Sequence, residues 1–486
     1  MEDKIKASKQ EYTIHLVPQF HYDVEYLKTY QSYLPIVLDN LLEAYKILSS
    51  HPQYTFLVEQ TLLLEEFFKK YPELLLHFKR FAEEKRLEVS AGFYVMADLN
   101  MPSGESLVRQ LVYGRKWLKK NFGLYPKVFH GGDCTGHNAQ LPQIITKCGY
   151  SYYIFGRAID RMEHEADFIW EGIDGTKVKT HWMRLGYSSC RPFTANEEKD
   201  ISHLEQVIKE IKKHATSHHL LVPHGGDFAR PSASSIHRVK KWNSLYPQYK
   251  VIFSTFEDYF GSIPWDKLKT YRQEFNPDRQ GAYSSRIKIK QINRELENAI
   301  FSAEILSTIG DIYLKIPYPE KELNEAWKHI LINQFHDIMW GTVIDPVMKN
   351  VSRRQKKAKN ILSQIIEERL SVLSLNYPDK YDKKILIFNP LPSSEKIPIN
   401  IDIKSKDSFK LINKNDSIIE IQREDEKITF IDNPPPMGCG VYYLKRNNQK
   451  ESKINPSKRK KELVIENKFY CVKFTENGVS ISFRFY

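Results

Sequence analysis

Four short segments of this chain concentrate side chains that can bind a metal ion or move protons. The first is Pro18-Gln19-Phe20-His21-Tyr22-Asp23. Extended backbone repeats its side-chain direction every two residues, so His21 and Asp23 can turn the same way and offer one imidazole and one carboxylate to an ion. The plainer alternative is a His and an Asp hydrogen-bonded within an ordinary loop. The second segment, Gly131-Gly132-Asp133-Cys134-Thr135-Gly136-His137-Asn138, puts Asp133 behind two glycines. Glycines let backbone approach a ligand or take positive φ, and Asn138 can cap a following helix. Here the alternative is an Asp that only fixes its turn. The third, Leu220-Leu221-Val222-Pro223-His224-Gly225-Gly226-Asp227, again runs an apolar strand into glycines and then an acid. Two carboxylates at two strand ends can face one substrate as nucleophile and acid/base. His224 suits a hydrogen bond in the turn as well as it suits a ligand. The fourth sets His336-Asp337 among the apolar neighbours Phe335, Ile338, Met339 and Trp340. Burying such a pair is costly unless it is paired or ligated, and a satisfied core histidine is the alternative.

The elements that must position these groups follow from periodicity. From Tyr12 to about Ile263, short β-rich runs alternate with stretches of helical period: Tyr12 to Val17, Tyr54 to Val58, Leu87 to Ala91, Lys127 to Phe129, Tyr152 to Phe155, His219 to Val222 and Tyr249 to Phe253. Such alternation predicts a parallel sheet or barrel with ligand groups at the C-terminal strand ends. The loops after Val17, Phe129 and Val222 then share one face. Asp167 to Gly172 and Lys177 to Trp182 flank Asp174-Gly175, which predicts a two-residue antiparallel hairpin inserted in the barrel. After the loop carrying Asn276-Pro277-Asp278, long polar helices are expected over Arg286 to Ile309, Glu320 to Met339 and Asp345 to Leu375, forming a bundle. From Lys384 the helical period gives way to β-type runs at Ile385 to Phe388, Ile397 to Ile401, Ile428 to Ile431 and Val441 to Leu444. The expected divisions are a β/α barrel over 1–270, a helical region over 271–380 and a β-rich region over 381–486. The basic run Lys450 to Lys461, broken by Pro456, is read as a solvated loop.

Bulk properties bound the rest. A chain of 486 residues exceeds what one hydrophobic core serves, so two or three domains are expected. The hydrophobic fraction of 41% is that of a folded protein, not a disordered one. The net charge of +12 comes from basic residues interleaved with acids along helical stretches, so nucleic acid is not expected as a partner. Without a bilayer-length apolar run or an apolar segment behind its charged start, no membrane partner is expected either, and a cytoplasmic location is. Five cysteines in no paired spacing argue against a disulfide framework and against a Cys-ligated zinc site.

Taken together and in this order, the four segments resemble glycoside hydrolase family 38, the α-mannosidases. The likeness extends to Asp98-Leu99-Asn100-Met101-Pro102-Ser103-Gly104-Glu105-Ser106, to Trp170-Glu171-Gly172-Ile173-Asp174-Gly175 with Thr180-His181-Trp182, and to Gly281-Ala282-Tyr283-Ser284-Ser285. The resemblance implies a distorted, seven-stranded parallel β/α barrel, then a helical bundle, then the start of a β-sandwich domain. It makes His21, Asp23, Asp133 and His336 the ligands of a single zinc, for which another divalent metal could stand. Asp133 is also the implied nucleophile and Asp227 the implied general acid/base, in a retaining hydrolysis of α-linked mannosides or oligosaccharides. Asp337 resembles a residue that contacts sugar hydroxyls. Tyr26 stands where the family usually has Trp and should still stack on a sugar face, while Gly132 and Cys134 flank the nucleophile where other residues are common.

Ile465-Glu466-Asn467-Lys468-Phe469-Tyr470 resembles an early strand of the family's large C-terminal β domain, and most of that domain is expected to be missing beyond Tyr486. Two other readings remain open at this point: a truncated fragment that keeps the catalytic residues but turns over weakly or not at all, and a metal-dependent carbohydrate deacetylase. A homo-oligomer is also left open.

Overall fold

The computed structural model describes residues 11–90, 93–157, 164–276, 279–405, 407–447, 462–466, 470–475 and 478–483. Pro277 and Asp278, Ala91 and the Lys450 to Lys461 run lie outside the described residues, as do Asn467 to Phe469. The chain divides into two compact units, one up to Arg369 and one from Leu370.

The first unit contains the strands β1 (Tyr12–Pro18), β2 (Phe56–Val58), β3 (Leu87–Val89), β4 (Val128–Gly131), β5 (Tyr152–Phe155), β6 (Asp167–Glu171), β7 (Lys177–Trp182), β8 (His219–His224), β9 (Tyr249–Phe253) and β10 (Thr270–Tyr271). Between them run α1 (Tyr30–Ser50), α2 (Thr61–Lys70), α3 (Leu75–Glu83), α4 (Gly104–Phe122), α5 (Leu141–Lys147), α6 (Glu197–Lys212), α7 (Ser234–Leu245) and α8 (Phe256–Gly261). β1 is central to one sheet, parallel to β8 on one side and to β9 on the other, with Leu16 level with both Val222 and Phe253. A parallel strand covered on both faces reads as continuous apolar sequence, and His15 to Pro18 are all buried. β2 and β3 form a parallel pair, tied to β1 by a bridge between Gln19 and Leu57. The third sheet runs β10-β6-β7-β5-β4, with β4, β5 and β7 mutually parallel. The unit is thus α/β with parallel strands. Among the described residues its ladders trace three sheets, not one closed ring.

One expectation for the hairpin is corrected. The antiparallel β6-β7 hairpin exists, with Glu171 opposite Lys177, but its turn is wider than two residues. Gly172 accepts from the amide of Gly175, whose φ of 82° needs glycine, and donates to Thr176. The hairpin lies within the sheet, its β7 pairing directly with β5.

The helical region comprises α9 (Ile287–Leu314), α10 (Glu320–Asn333), α11 (His336–Trp340) and α12 (Asp345–Ser374), the last running past the division between the units. A single helix was expected over Glu320 to Met339. Instead Phe335 takes φ −50° and ψ 136° and bridges to Ala97, so α10 ends at Asn333 and His336 opens a separate helix. The break is held by backbone bonds from Asp98 to the Gln334 carbonyl and from His336 to the Met96 carbonyl. The core that joins these helices to α1 to α4 includes Phe67, Phe78, Leu111, Trp327, Leu331 and Phe335. Among the described residues no helix is long and apolar enough to cross a membrane, and the five cysteines are free thiols.

The second unit is antiparallel. Its strands are β11 (Lys383–Asn389), β12 (Ile397–Asp402), β13 (Phe409–Asn413), β14 (Ile418–Ile419), β15 (Ile421–Glu424), β16 (Lys427–Asp432), β17 (Gly438–Arg446), β18 (Glu462–Glu466), β19 (Tyr470–Thr475) and β20 (Gly478–Phe483). They form the sheets β11-β17-β13-β14, β12-β16-β15 and β18-β19-β20. The first two share a core in which Ile399, Ile428 and Phe430 meet Leu411, Tyr442 and Leu444.

Candidate active site and metal centre

The ladder between β1 and β8 continues past both strands, and this continuation places the first two candidate groups. Gln19 donates its amide to His224, His21 donates to the Gly226 carbonyl, and Phe228 donates back to the His21 carbonyl. His21 and Asp227 therefore stand side by side on a parallel bridge. The approach is too close for a side chain at Gly225: a Cβ there would lie 1.9 Å from the Gln19 carbonyl oxygen. Asp133 arrives from the end of β4 and His336 from the start of α11, presented by the break behind Phe335.

The ligating atoms of His21, Asp133 and His336 lie within 4.8 Å of one another, and so do those of Asp23, His336 and Asp337. His21 Nε2 is 3.0 Å from Asp23 Oδ1 and 3.9 Å from Asp133 Oδ2, while His336 Nε2 is 3.4 Å from Asp133 Oδ2 and 3.6 Å from Asp337 Oδ2. Two donors at about 2.0–2.2 Å from one tetrahedral zinc stand roughly 3–4 Å apart, so the spacing suits an ion. Donor chemistry fits too. Among the described residues His21 Nε2, His21 Nδ1 and His336 Nε2 all lack an aligned hydrogen bond, although both rings are buried. Unpaired buried nitrogens facing carboxylates are what a cation would complete.

Electrostatics point the same way. Burial works against charging either ring, yet Glu59, Tyr187 and Asp23 raise His21 well above its ordinary value, and Asp133 and Asp337 raise His336. Burial would likewise push the Asp133 carboxyl up, but His336, His21 and Arg157 hold it well below the usual carboxylate range. Asp337 is pushed up to about 6 by burial and by Asp23 and Asp133, against the pull of His336. The pocket thus gathers more buried carboxylates than cations, an imbalance that favours a divalent ion held by deprotonated ligands.

Asp227 lies apart from these buried donors. It is exposed, and Tyr187 donates its hydroxyl to Asp227 Oδ1 at 2.7 Å while its ring lies tilted at 48° with its centroid 4.8 Å from that of His21. Tyr26 is half-buried on the segment after Asp23, its carbonyl accepting from Ile344, and it is not part of either donor cluster. His224 follows the plainer alternative, bonded to Ser235 Oγ at 2.8 Å and to the Cys190 carbonyl at 3.2 Å. Asn138 does not cap α5 from the cap position; it accepts from the Gln140 amide one step earlier and donates to the Leu99 carbonyl.

Three neighbours escaped the sequence reading, and a fourth, Asp98, entered it only within a motif and without a role. Glu59 follows β2 and its Oε1 lies 2.7 Å from His21 Nδ1. Arg157 follows β5 and pairs with Asp133. Tyr187 holds Asp227, and buried Asp98 receives the Trp340 indole at 2.8 Å beside His336. Glu59 and Arg157 each sit one or two residues past an apolar strand, the signal that found Asp133 and Asp227.

With this geometry in place, comparison with known proteins defines the class: residues 11–277 match the glycosyl hydrolases family 38 N-terminal domain and residues 279–373 match the alpha mannosidase middle domain. The chain belongs to glycoside hydrolase family 38. It is 25% identical over 399 residues to human alpha-mannosidase 2C1, covering 79% of this chain and 37% of that protein. It is also 25% identical over 355 residues to the alpha-mannosidase of Saccharomyces cerevisiae, covering 67% of this chain and 31% of the relative. The fold superposes on an alpha-mannosidase from Enterococcus faecalis with a TM-score of 0.80 at 20% identity, over 97% of this chain and 60% of that one. The chain therefore spans well under half the length of these curated relatives.

Proposed function

We propose that this chain hydrolyses α-linked mannosides with retention of configuration. The observation that carries the reading is the convergence of His21, Asp133 and His336 from three separate elements, next to an Asp227 held by Tyr187; membership of the family supports it. Bound by His21, Asp23, Asp133 and His336, a zinc ion would supply charge stabilisation and a template for adjacent sugar hydroxyls.

Asp133 is the nucleophile. Its neighbours keep it ionised, and its carboxylate attacks the anomeric carbon to form a glycosyl ester. Asp227 gives its proton to the leaving glycosidic oxygen, then takes one from the water that cleaves the ester. The unequal settings suit these roles: Asp133 is buried among groups that keep its carboxylate charged, while Asp227 is exposed and receives the Tyr187 hydroxyl. Asp337 accepts from a sugar hydroxyl and Tyr26 offers a ring to a sugar face.

The test uses the full chain with zinc and an aryl α-mannoside, with NMR following the first anomer released. Turnover giving the α-anomer is expected, abolished in Asp133→Ala and by chelation. Asp227→Ala should keep more activity on a nitrophenyl mannoside, whose leaving group needs little protonation, than on an alkyl mannoside. Release of the β-anomer, or rescue by the activated substrate in Asp133→Ala alone, would refute the assignment.

A further inference from the structure

We propose that Glu59 is a positioning residue for the metal centre, fixing His21 with a proton on Nδ1 and the Nε2 lone pair turned toward Asp23, Asp133 and His336. The inference rests on the metal-dependent reading above and adds to it a residue outside the expected ligand set.

A neutral imidazole carries one N–H, and a carboxylate oxygen 2.7 Å from Nδ1 draws it there by charge, although the contact is not an aligned hydrogen bond. Nε2 is then the nitrogen left with a lone pair, and it is the one 3.0 Å from Asp23 Oδ1 and 3.9 Å from Asp133 Oδ2. The carboxyl of Glu59 is itself clamped. Its Oε1 accepts the Tyr22 amide at 2.9 Å and Gln60 Nε2 at 3.3 Å. Gln60 also donates to the Tyr22 carbonyl at 2.7 Å and accepts the Met96 amide at 2.9 Å. Glu59 is 2% exposed, so this is a buried carboxylate facing two imidazoles: His21, and at 3.9 Å His130, which burial lowers to about 4 and keeps neutral.

A buried carboxylate is an expensive way to accept one backbone amide. Facing a metal-ligating imidazole it has a use: it orients the ring and makes the distal nitrogen a stronger donor. The second imidazole is oriented differently, with His336 Nδ1 2.9 Å from the Met96 carbonyl. The two histidines thus present the same nitrogen through supports of unequal strength. His130 extends the reach of Glu59 toward the third ligand, because its ring packs under the Asp133 turn: a Cβ at Gly132 would lie 2.6 Å from His130 Nε2.

The measurement is zinc affinity of the full chain, by competition with a chromogenic chelator, in wild type, Glu59→Gln, Glu59→Ala and Glu59→Asp. Gln still accepts the Tyr22 amide but loses the charge, so affinity should fall about tenfold, and Ala should approach a hundredfold loss, with Asp in between wild type and Gln. Glu59→Gln and Glu59→Ala should both melt below wild type in metal-free form, since Glu59 supports the charge on His21, so affinities are compared at a temperature where every variant is folded. Independently of any variant's folding, ring-¹⁵N NMR of the zinc-loaded wild type should show His21 protonated at Nδ1. Wild-type zinc affinity in Glu59→Gln and Glu59→Ala, or a His21 proton on Nε2, overturns the role of Glu59 while leaving the metal centre standing. A wild-type chain that binds no zinc overturns the metal centre itself and this role with it.

Discussion

At the scale of single residues, two aspartates of identical chemistry are made unequal by what surrounds them. Asp133 is 6% exposed and faces His21, His336 and Arg157; Asp227 is exposed and meets a phenol. Burial pushes the Tyr187 hydroxyl far above its ordinary value, with further upward pressure from Asp133 and Asp227, so it remains a donor at any working pH. A hydrogen bond to a charged group contributes about 1.5–3 kcal/mol, which corresponds to roughly 10- to 100-fold in rate if it is felt chiefly in the transition state. Tyr187→Phe is therefore expected to lower kcat on an alkyl mannoside by about that factor, with KM little changed. Steady-state kinetics check this, and an unchanged kcat would remove Tyr187 from the machinery.

At the scale of elements, the break between α10 and α11 does the positioning. It is sealed by Phe335, fully buried beside the ring of His336, which in turn packs on Trp340. Phe335→Ala should cost about 3–5 kcal/mol in unfolding free energy and loosen His336, weakening zinc binding at the same time. A denaturant titration and a chelator competition measure the two effects, and loss of stability without loss of zinc would uncouple the break from the site. This break was not legible in the sequence, because Gln334 and Phe335 carry neither the Gly nor the Pro that marks a helix end; long-range bonds to Met96 and Asp98 impose it. What was legible had local punctuation. β4 and β8 run apolar into paired glycines and then an acid, so Asp133 and Asp227 announced themselves. Glu59 follows β2 without such glycines and leads straight into α2, where an acid reads as ordinary helix-start chemistry. Arg157 follows the apolar β5 and a single glycine, but as a cation it does not read as a ligand or acid/base, and Tyr187 sits in a segment whose own sequence carries no motif.

At the scale of the molecule, titratable and fluorescent groups are unevenly shared. All sixteen histidines and all seven tryptophans precede residue 370, so both belong to the first unit, and tryptophan emission reports its unfolding without interference from the second. Burial lowers His15 to about 4, with His219 adding to the effect, His224 to about 4 and His137 to about 3. Each is neutral when folded and takes up a proton near pH 6.5 when unfolded. Between pH 6.5 and about 4 the unfolded chain therefore binds more protons, and stability falls as pH falls, by up to about 1.4 kcal/mol per pH unit for each such group. His21 and His336, raised by their acid neighbours, contribute their slope above pH 6.5, outside this window, while other buried histidines such as His130 add to the loss within it, so the sum for wild type does not isolate one group. The difference between wild type and a single variant does. His15 is 3% exposed and bonded to Ser254 Oγ at 2.8 Å and to His219 Nδ1 at 3.0 Å, and it belongs to neither candidate donor cluster. His15→Gln removes one titrating group from this window while keeping polar atoms that can meet the same partners. Urea unfolding followed by tryptophan emission at pH 6.5, 5.5 and 4.5 should show the variant losing less stability than wild type on acidification, by about one group's share. Parallel losses in the two proteins would mean that His15 is already protonated in the folded unit, contrary to its burial.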